Sequence, residues 1–498
     1  MTRYSFVIDQ TRCIGCHACT VACKMENEVP LGVFRTWVKY IERGEFPQVR
    51  RFYAVLRCNH CDDAPCVEIC PTSALYKRSD GIVDFDNGRC IGCKACMQAC
   101  PYDALYIDPE TNTAAKCHFC AHRVDNGLEP ACVIVCPTQA ILWGDLDDPD
   151  SIVSKALREN SLTVRKPEQK TKPKLFYIGA DQTLLNPLSS ESEQAYLWAD
   201  KTDGGVVSGH AIPVKSKVAY DISHPKPWGA KISTYLWTKS ISAGIMLMLS
   251  LLTIITPQFI DIILGDITKL ILLSFFFLAV TGYFLVADLK QPMRFIYVFL
   301  KPNLSSWLVK GAFIISIFGL LTLLWLIIPG NAILAYVTAP IAALAAGYSA
   351  FLFAQAEGRD FWQSPSSFMH FIFAAVQAGS ASMIIALPYA PNLTQTLVVF
   401  LIISNIILAI LALAEVFQRH STIEAELSAK YMTMDRGAYY FWILFIGLGV
   451  VASTLLGAAY LANPQMQAYG LIASVAALIG LYAYEHVWVE AGQVPPLS

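Results

Sequence analysis

Sixteen cysteines carry the most legible chemistry in this chain, and all of them lie between Cys13 and Cys136. They fall into four sets of four. Cys13, Cys16, Cys19 and Cys23 form the first set and Cys90, Cys93, Cys96 and Cys100 the third, both spaced C-x2-C-x2-C-x3-C. Cys58, Cys61, Cys66 and Cys70 form the second, with a longer middle gap; Cys117, Cys120, Cys132 and Cys136 form the fourth, with eleven residues between its halves. Three thiolates on one tight loop can reach three corners of an iron-sulfur cubane, while the fourth cysteine can serve a neighbouring cluster. Gly15 and Gly92, in matching Arg-Cys-Ile-Gly-Cys strings, leave room for backbone N–H groups to approach sulfur. Proline follows the last cysteine at Pro71, Pro101 and Pro137, and Cys70–Ala74 and Cys136–Ala140 share the pattern Cys-Pro-Thr-x-Ala, so the region is an internal repeat.

Two other uses of cysteine fit poorly. Thiols packed at two- and three-residue intervals cannot bridge one another without strain, and zinc ribbons use paired C-x-x-C units without a third cysteine two residues on. His17, His60, His118 and His122 are read as surface groups or as residues beside the ligands.

Composition says what must position these sets. Of 498 residues, 55% are apolar and 15% charged, and mean hydropathy is +0.45, so the chain is not one soluble globule. A net charge of −2 gives no field that would favour nucleic acid. Three regions follow: a cluster domain over 1–180, a polar connector over 181–227 with no sustained apolar periodicity, expected on the surface, and a cysteine-free membrane domain over 228–498. Eight apolar runs, near 232–256, 268–288, 306–328, 332–354, 368–388, 393–415, 437–461 and 467–488, are long enough to cross a bilayer. Gly347, Gly379, Ser380 and Gly457 would let these helices approach closely.

An even number of crossings returns the C-terminus to the cluster side. Loops on that side collect Lys290, Arg294, Lys301, Arg359, Arg419, Lys430 and Arg436, against little beyond Lys269 opposite. The positive-inside rule then predicts a cytoplasmic cluster domain in the inner membrane. Met1–Cys13 holds no export signal, which points the same way, although a signal-bearing partner could carry the domain to the periplasm.

Ionisable groups inside spans are costly and mark proton or ligand handling. Tyr235 and Lys239, at i, i+4 in the first run, and Asp288, closing the second, are the expected quinone or proton site; Glu357, Arg359, His370 and Glu415 also fall toward the cluster side. The bland readings are that Lys239 snorkels to the interface, that Asp288 and Arg294 form a structural ion pair, and that His370, His420 and His486 are interfacial. A redox pump would want buried charges at mid-membrane, and the charges here sit near the ends of the runs.

Residues 1 to about 180 resemble the four-cluster iron-sulfur subunits of molybdopterin oxidoreductases, the family found in dimethyl sulfoxide, polysulfide and nitrite reductase systems. The resemblance continues into the Lys-Pro-Glu-x-x-Thr-Lys-Pro-x-x-Phe-Tyr segment at Lys166–Tyr177. It implies an α+β ferredoxin-like domain with four [4Fe-4S] clusters and crossed ligation: Cys136 completes the first set, Cys23 the fourth, Cys100 the second and Cys70 the third. Ala287–Phe295, Lys301-Pro302-Asn303 and Ser306-Trp307 are similar to the NrfD-like, polysulfide-reductase-type membrane subunits. That resemblance implies an all-α integral membrane domain of eight transmembrane helices that uses menaquinone or ubiquinone without haem. Together they imply an electron-transfer subunit, without a pterin site of its own, serving a catalytic partner that holds molybdenum or tungsten on a bis-pterin. The alternative is the equivalent module of a membrane-bound hydrogenase or quinol:acceptor supercomplex.

Overall fold

A computed structural model describes residues 2–44, 47–190, 216–256, 265–387 and 391–498. Its N-terminal part is small-sheet α+β. The strands are β1 (Tyr4–Asp9), β2 (Thr36–Arg43), β3 (Arg50–Arg57), β4 (Leu75–Lys77), β5 (Val83–Phe85), β6 (Leu105–Ile107), β7 (Ala114–Lys116), β8 (Ile141–Asp145), β9 (Leu162–Thr163), β10 (Leu175–Ile178) and β11 (Ser216–Tyr220). β1 buries Phe6, Val7 and Ile8 in succession because it is interior to a sheet ordered β8-β1-β10-β9. β4–β5 and β6–β7 are separate antiparallel hairpins, and β11-β2-β3 forms a further, three-stranded sheet.

The cysteine repeat has a structural counterpart. β4, β6 and β8 each begin five residues after the last cysteine of a set, at Leu75, Leu105 and Ile141. The proline after that cysteine opens a short turn whose third residue is left-handed, at Ser73 (φ 51°), Asp103 (φ 55°) and Gln139 (φ 52°), and the chain then enters the strand.

The connector departs from the expected surface tether. Residues 191–215 lie outside the described residues, but Ser216–Tyr220 adds β11 to β2 with a bulge between Val218 and Tyr220. Val218 is buried there, and alternation over five residues is too short a signal to stand out in a polar stretch.

Among the described residues, eight helices are long and apolar enough to cross a membrane: Ala230–Ile255, Ile267–Ala287, Trp307–Ile327, Ala332–Ala354, Ser367–Ala386, Leu393–Phe417, Tyr439–Ala462 and Gln467–Ala491. The first is the most enclosed and packs on the second, fourth and fifth. Gly244 and Gly379 allow its closest approach, since a Cβ on either would strike the other helix's backbone. The seventh span opens as a π-helix, Tyr439–Ala452, and becomes α-helical at Ser453.

Candidate functional site

The loops that carry the thiols curl because their residues enter left-handed backbone space. Gly15 (φ 70°) and His17 (φ 58°) do so in the first set, His60 (φ 44°) in the second, Gly92 (φ 68°) and Lys94 (φ 64°) in the third, and Phe119 (φ 62°) and Cys120 (φ 51°) in the fourth. Successive turns of this kind point N–H groups inward and form concavities suited to sulfur-rich anionic groups. The amides of Gly92 and Ala114 donate to Cys90 Sγ at 3.4 and 3.3 Å, Leu75 to Cys70 Sγ at 3.5 Å and Ala140 to Cys136 Sγ at 3.2 Å.

Thiols from different sets meet. Cys13, Cys16, Cys19 and Cys136 line one cavity of about 330 Å³. Cys90, Cys93, Cys96 and Cys70 line another of about 390 Å³. Cys66 feels the charge of Cys100, Cys58 and Cys61, while Cys23 feels that of Cys132 and Cys120. The four groups also adjoin in a line, through Cys19 with Cys132, Cys117 with Cys58, and Cys96 with Cys66.

These donors fit iron-sulfur clusters. All sixteen cysteines are free thiols. Burial pushes Cys19, Cys61 and Cys93 up to about 12, so thiolates at these positions need a cationic centre beside them. Four thiolates on one zinc ion would stand about 3.8 Å apart; among the described residues no three His, Cys, Asp or Glu side chains converge that closely on one ion.

Arg57 was not singled out in the sequence because it lies in a strand and not in a cysteine loop. It is fully buried, donates to Cys132 Sγ at 3.0 Å and stacks over Phe6. The histidines divide: His122 is exposed and pairs with Glu26 at 2.8 Å, His17 is half-buried, and His118 meets Arg35 at 3.2 Å. His60 is buried, its Nδ1 accepting from the Val83 amide at 3.2 Å.

The group containing Cys70 and Cys90 faces the membrane helices. The amides of Lys290 and Gln291 donate to the carbonyls of Gly92 and Ile91 at 3.2 and 3.1 Å, and Asn303 Nδ2 donates to the Cys70 carbonyl at 2.8 Å. A Cβ on Gly358 would come within 2.8 Å of the Gln98 and Cys100 carbonyls. Asp288 does not pair with Arg294. It holds Lys94 at 2.7 Å, while Arg294 donates to the Asn87 and Cys90 carbonyls at 2.6 and 3.2 Å. Both side chains reach across to the cluster domain because the loop that carries them is a docking surface. Arg359, which is buried, donates to Gln98 Oε1 at 2.8 Å and to the Pro495 carbonyl at 2.9 Å. Two of the basic loop residues are thus engaged in docking, which weakens charge asymmetry as a report of membrane side.

Tyr235 and Lys239 come together, and Asp288 stands apart from them. Lys239 does not snorkel: it is 2% exposed and donates to the Ala346 carbonyl at 2.7 Å and Ser349 Oγ at 2.6 Å. The Tyr235 hydroxyl bonds those of Tyr348 and Ser349 at 2.7 and 2.6 Å, and Phe371 contacts the Lys239 ammonium with its ring face. Phe371 also lines a cavity of about 240 Å³ with Ser367, His370, Glu415, Tyr484, Glu485 and Trp488. Tyr484 and Trp488 donate to the Glu415 carboxylate at 2.7 and 3.2 Å. His370 is buried and stacks on Tyr484 instead of lying at the interface. Glu485 is the residue the sequence reading missed, although a carboxylate within the eighth apolar run was signal enough. Glu357 lies outside this cavity, on an open acidic cleft with Glu68 and Asp360.

Comparison with known proteins agrees with this anatomy. Residues 49–146 match the 4Fe-4S dicluster domain family and residues 220–496 the polysulphide reductase, NrfD family. The chain is 46% identical over 202 residues to a tetrathionate reductase subunit of Salmonella typhimurium, covering 40% of this chain and 80% of that protein. It is 42% identical over 179 residues to a polysulfide reductase component of Wolinella succinogenes, covering 35% and 94%. The arsenate respiratory reductase iron-sulfur subunit ArrB of a Shewanella species is 37% identical over 226 residues, covering 35% and 96%. These relatives cover 35–40% of the chain, whereas the NrfD match spans more than half of it and includes the eight apolar helices found among the described residues. The chain therefore belongs to the polysulphide reductase, NrfD family, as an integral membrane protein fused to an iron-sulfur domain, and is the electron-transfer, non-catalytic subunit of an oxidoreductase.

Proposed function

We propose that this chain passes electrons between membrane quinone and a separate subunit carrying molybdenum or tungsten on a bis-pterin, through four [4Fe-4S] clusters. The ligands are Cys13, Cys16, Cys19 and Cys136; Cys117, Cys120, Cys132 and Cys23; Cys58, Cys61, Cys66 and Cys100; and Cys90, Cys93, Cys96 and Cys70. When bound, the clusters supply one-electron steps that divide the two electrons of a quinol. The single observation that carries the reading is the line of thiol groups ending against the membrane helices, among which His370, Glu415 and Glu485 line a cavity.

The chain's own residues handle the protons. Lys239, held by Ser349 and the Ala346 carbonyl, keeps a positive field next to the cavity. Glu485 accepts from Ser240 on Oε1, at 3.4 Å, while Oε2 has no protein partner, and this oxygen accepts the proton of a quinol hydroxyl. Tyr235 and Tyr348 orient the ammonium through Ser349, and Asp288 steadies the docked loop instead of touching quinone. The iron-sulfur domain lies in the cytoplasm, a reading supported by Lys290, Lys301, Arg419, Lys430 and Arg436 on its side of the bilayer.

Anaerobic isolation tests this reading. The polypeptide should hold about sixteen iron atoms, and its dithionite-reduced clusters should reoxidise with a quinone analogue. A colourless preparation, or reduced clusters that no quinone reoxidises, would overturn it. Co-purifying molybdenum or tungsten supports the pterin partner, whereas nickel would favour a hydrogenase.

A further inference from the structure

We infer that residues 492–498, which follow the eighth span, are a clasp that holds the thiol groups nearest the membrane in position for electron exchange with quinone. The inference rests on the quinone reading above.

A non-helical segment beyond a span ordinarily runs over the surface, because its backbone groups need water. This one is mostly buried, with Gln493, Leu497 and Ser498 all enclosed. Arginines from both domains take the place of water. Arg359 of the membrane domain donates Nη1 to the Pro495 carbonyl at 2.9 Å, and Arg165 of the cluster domain donates Nη2 to the Leu497 carbonyl at 2.9 Å. Pro495 and Pro496 have no N–H to satisfy, and their fixed φ angles reduce the entropy lost on docking. Gly492 lets the chain leave the helix against Trp362, since a Cβ there would strike the indole. Ser498 Oγ meets His224 Nε2 at 3.1 Å, and His224 Nδ1 in turn holds Asp103 of the cluster domain at 2.6 Å.

The clasp positions Gln98. This residue is wholly buried in the short helix Ala95–Ala99, between Cys96 and Cys100. Its amide is held at both ends: Nε2 donates to Gln493 Oε1 at 2.6 Å, and Oε1 accepts from Arg359 Nε at 2.8 Å. Gln493 also clamps both backbone groups of Trp228, accepting from its amide at 3.0 Å and donating to its carbonyl at 2.9 Å. The Trp228 indole then reaches the Cys93 carbonyl. The clasp thus bears on Cys93, Cys96 and Cys100, which belong to the last two thiol groups of the line.

Adhesion alone does not call for this arrangement, because Lys290, Gln291 and Asn303 already join the domains through the carbonyls of Gly92, Ile91 and Cys70. What the clasp adds is orientation. Turning the helix Ala95–Ala99 would break the bonds to Gln493 and Arg359 together and strand buried polar groups. Reacting groups lose on the order of 100-fold in rate for a misplacement of about 1 Å, so a rigid hold on this helix serves electron exchange directly.

The intact complex is isolated anaerobically with its clusters, reduced with dithionite, freed of excess reductant and mixed in stopped flow with 2,3-dimethyl-1,4-naphthoquinone. Two reduced clusters give one electron each, and the quinone takes both with two protons to become its quinol. In the variant lacking residues 494–498, and in Gln493→Ala, the saturating rate should fall at least about tenfold while the half-saturating concentration holds. Ferricyanide meets the clusters from water at exposed Cys16, and its rate should be unchanged, as should iron content and midpoint potentials. Hydrogen exchange read by mass spectrometry should show the amides of residues 95–100 opening at least about tenfold faster in both variants. Folded variants that match the unmodified naphthoquinone rate or the unmodified exchange, or that slow equally with ferricyanide, would overturn the clasp while sparing the quinone reading. Failure of the naphthoquinone to oxidise the clusters of the unmodified protein would overturn both.

Discussion

The indole of Trp228 donates to the carbonyl oxygen of Cys93 at 3.3 Å, and its backbone amide is held by Gln493 Oε1 at 3.0 Å. One side chain at the head of the first span thus touches the thiol loop nearest the membrane and stacks on Trp362. Gln493 also accepts from Gln98 at 2.6 Å, so the C-terminal segment ties both domains to this point.

Trp228→Leu should loosen that contact while leaving the ligands in place. Stopped-flow reoxidation of dithionite-reduced clusters by a quinone analogue should slow about tenfold, or ~1.4 kcal/mol of barrier, with iron content unchanged.

Arg57 places a buried positive charge beside Cys132. Hydrogen bonds and positive charge near cluster sulfurs favour the reduced state. Arg57→Gln should lower one cluster's midpoint potential by on the order of 60 mV, a tenfold change for one electron. Redox titration followed by low-temperature paramagnetic resonance reads this, and the other clusters should move less.

Glu485→Gln removes the proton acceptor but keeps the volume. Quinol oxidation should fall about 100-fold in kcat, within the usual range for a general base, while chemical reduction of the clusters is unaffected. Lys239→Met should slow quinol oxidation as well, because it removes the amino group that holds Ser349 and the Ala346 carbonyl beside the cavity.

His224 sits between Asp103, at 2.6 Å, and Asp221, at 3.8 Å. Burial alone would lower its basicity, but the two carboxylates win and raise it from the ordinary 6.5 to about 10. A raised value in the folded state means the contribution is complete below about pH 6.5 and lost as pH climbs through about 10. The unfolding midpoint should therefore drop between pH 7 and 10, and His224→Asn should flatten the profile across that window. Melting curves at half-unit pH steps check it.

Much of the architecture was readable residue by residue. The eight apolar runs match the helices to within a few residues, because length and hydropathy are local properties. Tyr235 and Lys239 were flagged by the cost of burying polar groups, a rule that needs no coordinates. β11 escaped notice because a five-residue strand in a polar segment is decided by its partner β2, and the pairing of Asp288 with Lys94 because it spans two domains.

By itself, the sequence determined the metal chemistry and the membrane class, since thiolate spacing within a loop and apolar length within a helix are set by neighbours along the chain. Only the tertiary structure decided which thiols from separate sets adjoin, that Arg57 lies among them, and that Glu485, His370 and Glu415 line one cavity. Those relationships join positions distant in sequence, and they exist only once helices and loops have packed.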